Sequence, residues 1–278
     1  MRNSMYAIVV AVGLFFNLAF IDASRAEDAR KAAPSSRAVT YTVFASGLAG
    51  PRGLLFGPSG ELYVAEQASG AVAKVTASGR VQRIARGFSS PHDLAIDGEG
   101  NLYVADSGND RIARISTAGQ VTTYIDNVGT PVDLDFNPRG ELLVCELYRG
   151  RVVSFKGRED ARVVASGLSW PHGLAFGKLG ETYINENTGN RIDRVASDGT
   201  LERFAEVERP VGLALGQNGD LYVAQPQVGK VSRVKPDGTR ITLLEGLKEP
   251  RDPAFDAAGN LYVAETETGR ILKLVGDY

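Results

Sequence analysis

The chain has 278 residues, 43% of them hydrophobic and 23% charged, a balance that excludes a disordered polymer and indicates a folded core. Its 31 Lys and Arg stand against 33 Asp and Glu with no basic run among them, which excludes nucleic acid as a partner and leaves small molecules or proteins. A single cysteine, Cys145, rules out an internal disulfide, so the fold must stand on its packing. At the amino terminus, Arg2 precedes an apolar run over residues 6–20, and "SRAED" places Ser24 and Ala26 at the small-residue positions of a signal-peptidase site. This pattern predicts a signal peptide over residues 1–26 and export of a monomer to the periplasm or the medium. The run is shorter than the ~20 residues that span a bilayer, so no stable membrane span is expected after cleavage. Residues 27–39, rich in Ala, Arg, Ser and Pro, read as a flexible leader.

From about residue 40 the chain repeats. Pro51, Pro91, Pro131, Pro171, Pro210 and Pro250 recur at intervals of 40, 40, 40, 39 and 40 residues, each opening an apolar segment. A Gly-containing turn follows, then "ELYVAE", "NLYVAD", "ELLVCE", "ETYINE", "DLYVAQ" or "NLYVAE", then "AVAKV", "RIARI", "RVVSF", "RIDRV", "KVSRV" or "RILKL". Their β-branched and aromatic content, short length and Gly punctuation predict strands and carry no helical period. A fourth strand closes five of the repeats ("VQRIA", "VTTYI", "RVVAS", "LERFA", "ITLLE"), and the sixth ends without one. The orphan segment "YTVFASGL" supplies the missing strand from the amino-terminal side, at about 41–46, so the ring closes without an open edge. The expected fold is therefore all-β: a six-bladed β-propeller of four-stranded antiparallel blades over residues 40–278.

In such a blade the inner strand begins, and the second strand ends, at one face of the disc. That crossing face carries two rings. One follows each proline: Arg52, His92, Val132, His172, Val211 and Arg251, with both histidines of the chain in a single register. The other ends each second strand: Glu66, Asp106, Glu146, Glu186, Gln225 and Glu265. A basic residue five positions on (Arg111, Arg151, Arg191, Arg270) accounts for most of these acids as cross-strand ion pairs. Ala71 stands where the partner of Glu66 should be, so Glu66 is expected to be unpaired and is a candidate ligand. The fourth repeat departs furthest from its sisters, with Trp170 before the proline, His172 after it, Asn185 in a slot that is Ala or Cys elsewhere, and Asn187 after Glu186. An aromatic wall beside an imidazole and oxygen ligands is a usual pocket composition. Asp93, Asp133 and Asp252 share the second position after the proline and are hard oxygen donors suited to Ca or Mg.

"PHDLAIDGEGNLYVADSGNDRIARI", residues 91–115, resembles an NHL repeat, and weaker copies run over 51–275. "PHGLAFGKLGETYINE" resembles the Pro-His-Gly segment of the virginiamycin B lyases, a resemblance that implies proton transfer by His172 and a magnesium ligand in Glu186, fourteen residues later. His92 and Asp106 repeat that spacing, while Trp170 stands where the lyase pattern has a metal-binding Glu. A resemblance to the gluconolactonase and senescence-marker group, through Asp106, implies a divalent metal that activates water on a lactone. The peptide-amidating lyases resemble "PHD" at 91–93, but their zinc takes three histidines and this chain has two, so Ca or Mg is expected rather than Zn.

Two functions follow. In the first, an exported hydrolase or lyase acts on a lactone or related small ester, with His172, His92 and Glu186 in proton transfer. Trp170, Arg52, Arg251, Asn185 and Asn187 would contact substrate, and a divalent cation would lie near Glu186, Asp106, Glu66 and Asp93. In the second, the crossing face is a non-enzymatic platform for a protein, peptide or glycan, anchored by Trp170, Arg52 and Arg251.

Overall fold

The computed structural model describes residues 38–177, 180–196 and 199–278. The expected signal peptide and all but the last two residues of the expected leader lie outside them. Within them, six four-stranded antiparallel sheets follow one another around a central channel. The first blade shows the pattern: Pro51–Phe56 innermost, then Leu62–Glu66, Ala71–Val75 and Val81–Arg86. In the sixth, Pro250–Phe255, Leu261–Glu265 and Arg270–Val275 are completed by Thr40–Ala45, which pairs antiparallel with the last strand from Thr40↔Val275 to Ala45↔Ile271. The expected closure is borne out.

Sequence explains why the second strands read as continuous apolar runs. Each blade is covered on both faces by its neighbours, so Leu62, Val64 and Ala65 are all buried although they point to alternate sides. The core is accordingly a set of seams between blades: Ala65 and Val72 of the first pack with Leu94, Val104 and Ala113 of the second. Burial of this kind stabilises by roughly 25 cal/mol per Å² of apolar surface removed from water. Among the described residues no helix is long and apolar enough to cross a membrane.

Every inner strand is entered through a left-handed residue. Gly50, Ser90, Thr130, Trp170, Arg209 and Glu249, the residues before the six prolines, have φ between 47° and 64°. Such a conformation is costly for a bulky side chain, so the tryptophan of the fourth blade occupies a position that the first blade fills with glycine. The in-register pairing of Pro171 with Glu186, and of the equivalent residues in four other blades, puts the proline corners and strand-end acids at one face.

Candidate active site at the channel mouth

The strand-end acids form a buried ring met from within the chain, with only Glu186 Oε1 in ion-pair contact with Arg191 but without a hydrogen bond. Each accepts a hydrogen bond from a backbone N–H seventeen residues earlier, on the loop entering its own blade: Ala49 to Glu66 (2.8 Å), Ser89 to Asp106 (2.6 Å), Gly129 to Glu146 (2.8 Å) and Lys248 to Glu265 (2.8 Å), with Ser169 to Glu186 in the fourth. The remaining oxygens meet arginines: Asp106 with Arg111 at 2.7 Å, Glu186 with Arg191 at 2.5 Å, Glu146 with Arg151 and Glu265 with Arg270. Gln225 reproduces the arrangement without charge, donating to the Glu208 carbonyl (2.7 Å) and accepting from Ser232 (2.6 Å). The expectation that Glu66 has no partner is overturned: Arg83, on the fourth strand rather than the third, reaches it at 2.6 Å. Glu66, Asp106 and Glu186 are thus committed to cations of the chain itself, which is a poor starting point for holding a metal.

The departures of the fourth blade have local explanations. Inner-strand side chains at the second position after the proline lean onto the following blade. There Asp252 accepts from the Leu54 N–H (2.8 Å) and Asp93 from the Leu134 N–H (3.4 Å). Where the next backbone approaches closely, glycine is required: a Cβ on Gly53 would lie 2.6 Å from the Asp93 Cα. At Gly173 the space is filled by Asn185, whose Nδ2 would lie 2.5 Å from such a Cβ and donates to the Val211 carbonyl at 2.7 Å. Asn187 donates to the Pro210 carbonyl at 3.2 Å, as Thr266 does to Pro51 at 2.7 Å. Both asparagines are buried in the seam between the fourth and fifth blades and do not line the mouth. Trp170 is 45% exposed on the rim, edge-on to Tyr148 at 6.0 Å between ring centroids.

The post-proline ring behaves in the opposite way. Arg52, His92, Val132, His172, Val211 and Arg251 line a narrow mouth, with Asp93, Asp133 and Asp252 one residue deeper. The two imidazoles lie parallel within 7°, their centroids 6.5 Å apart, and neither makes a hydrogen bond to the described residues. Burial, then the charges of Arg251 and Arg52, hold His172 down to about 3. Burial, Arg52 and His172 itself keep His92 well below the usual imidazole range. Both rings are neutral near pH 7. Arg52 is lowered to about 9 by burial and by the neighbouring Arg251 charge.

The three aspartates also line the wider vestibule at the far end of the channel, so they stand at its waist. Burial raises all three: Asp93 to about 7, and Asp133 and Asp252 well above the carboxylate range, with mutual repulsion adding to the effect. They are the hard oxygen donors expected from the sequence. Among the described residues, however, no three acidic, histidine or cysteine side chains are grouped to hold an ion.

Two features escape a reading confined to strand tips. Asp135 also lines the vestibule, with its side chain open to the solvent of the channel. Asp193, buried beside Glu186, shares Arg191 with it (2.9 Å), and burial and the Glu186 carboxyl raise it to about 6. Its column reads Ala73, Ala113, Val153, Asp193, Ser232 and Leu272, so a comparison of third strands would have singled it out.

With this geometry in place, the sequence profile of the virginiamycin B lyase family matches residues 36–277. The chain belongs to that family. A search of curated proteins finds no match. Among solved structures, a streptogramin B lyase superposes with a TM-score of 0.70 at 16% identity, covering 88% of this chain and 100% of its own. A gluconolactonase from Xanthomonas campestris gives 0.76 at 18% identity (86% and 90% covered). A calcium-binding regucalcin from Agrobacterium tumefaciens gives 0.73 at 21% (85% and 94%). At these identities the likeness establishes the propeller fold, and family membership carries the lyase connection.

Proposed function

We propose that this chain is an exported hydrolase or lyase that opens a lactone or related ester of a small molecule at the crossing-face mouth, with His172 and His92 moving the proton. The observation that carries the reading is the pair of parallel, neutral imidazoles without hydrogen bonds to the described residues, held in a concave mouth. A neutral ring nitrogen accepts a proton from water in hydrolysis, or from a carbon acid in elimination. Its neighbour lies close enough to share the developing charge or to return the proton to the leaving oxygen. Glu186 does not join them directly; it fixes the loop at Ser169 and so positions the corner that carries His172. Export rests on the apolar run at residues 6–20 and the small residues Ser24 and Ala26.

The lyase and regucalcin relatives bring a divalent cation, Ca or Mg, into the reading. Asp93, Asp133 and Asp252 have the right donor chemistry, whereas Glu186, Glu66 and Asp106 are taken by arginines of the chain. The test is a panel of lactones and cyclic esters run in ¹⁸O-labelled water, in which hydrolysis incorporates label and elimination does not. His172→Gln and His92→Gln should each slow turnover by roughly 10²-fold or more. A panel on which the wild type is inert, or variants that keep full rate, would overturn the assignment. The platform reading retains one specific support, the exposed Trp170–Tyr148 pair, and requires that pull-down of a partner be lost in Trp170→Ala.

A further inference from the structure

We infer that blades six and one form a carboxylate clasp, in which Arg52 and Arg251 together bind the acid group of a small organic ligand seated in the mouth. Ring closure is what makes these two arginines, 199 positions apart in sequence, occupants of adjacent blades. Both line the cavity, and neither is paired with the aspartates beneath. Arg52 gives its Nε to Gln67 at 2.6 Å, and Gln67 is itself held by donation to Ser90 at 2.8 Å. Arg251 is tethered through one terminal nitrogen to Glu249 at 2.8 Å, while its Nε is buried with no partner.

Two guanidinium groups held side by side out of water repel each other, and an anion between them removes the repulsion. A planar carboxylate matches the fork of an arginine and can take two hydrogen bonds from each. The rest of the mouth describes the rest of the ligand. Val132 and Val211 offer apolar contact, His92 lies in the blade next to Arg52 and His172 lies across the ring, so an acid anchored at Arg52 and Arg251 would present its uncharged body to both imidazoles. Anchoring would also offset the two charges that help depress His172, making that ring a better base only when ligand is bound. The inference deepens the function proposed above, as a statement of substrate class, but it can be tested without turnover.

The mature protein is titrated calorimetrically with glutarate and benzoate, with their methyl esters as uncharged controls and inorganic phosphate as a rival anion. The chain has two histidines, so their imidazole C–H proton resonances, two from each ring, report whether binding occurs at the mouth. The acids should bind and shift the resonances of both rings, and the esters should bind at least tenfold more weakly. Arg52→Gln and Arg251→Gln should each weaken the acids tenfold or more while remaining folded, since each removes a repelling charge along with a single polar contact. Equal binding of acids and esters, a preference for phosphate, or unchanged affinity in folded arginine variants would overturn the inference. Carboxylate binding without turnover of any ester would remove the enzymatic reading and leave the clasp standing. Turnover of neutral lactones without carboxylate binding would do the reverse.

Discussion

The crossing face carries two concentric rings of polar residues that look alike in sequence and differ completely in structure. In the outer ring, Asp106, Glu146, Glu186 and Glu265 each meet an arginine and a backbone N–H, and even the uncharged Gln225 finds both of its partners. In the inner ring, two arginines and two histidines line a cavity with unused hydrogen-bonding capacity and mutual repulsion. A buried charge that recurs with its partner in blade after blade is scaffold. One with donors left over, as Arg251 has in its buried Nε even beside its pair with Glu249, can take something from outside the chain.

The sharpest way to break this comparison is to remove an outer-ring acid. Asp106→Ala leaves the Ser89 N–H and the Asn109 amide without their acceptor and takes the carboxylate from Arg111, which keeps only Thr123, and should cost about 2–4 kcal/mol in urea unfolding. A loss below 1 kcal/mol would mean that the ring is not structural. Asp193→Ala should act on the pH dependence of stability. The folded-state value near 6 lies above the ordinary 3.8, so the proton is bound more tightly in the native protein. The native state is therefore favoured at low pH, and that advantage is lost as pH rises from about 4 through 6. The alanine found at the same place in blades one and two removes this pH dependence and gives up the Arg191 contact, so the substitution should favour stability more at pH 7 than at pH 4, by about 1–3 kcal/mol. Unfolding curves at pH 4 and pH 7 decide this, and equal effects at both would sink it. The smallest change expected is Trp170→Gly, which relieves a left-handed φ of 57° and should leave stability equal or raise it by about 1 kcal/mol. A large loss there would show that Trp170 holds the rim together through Tyr148.

Particular residues show how far the sequence could be read. The forty-residue interval between prolines, and the unmatched strand before the first of them, were enough to count the blades and close the ring, because a propeller repeats its contacts as faithfully as its residues. The registers of Arg52, His92, His172 and Arg251 were likewise legible, since position within a repeat fixes distance from the axis and the order of the repeats fixes place around it. Asn185 and Asn187 were misleading as substrate contacts: their departure from sister blades reflects the space left by Gly173 and the need to tie the fourth blade to the fifth. Glu66 misled in the same way, because its arginine sits one strand further out than in the other blades.

By itself, then, the sequence determined the architecture and the list of residues sharing each ring, for both follow from periodicity along the chain. Only the tertiary structure decided which of those residues are already satisfied. Partners such as Arg83, Leu54 and Val211 lie on other strands or other blades, and hydrogen bonds and Coulomb forces act through distances in space that a repeat pattern does not encode.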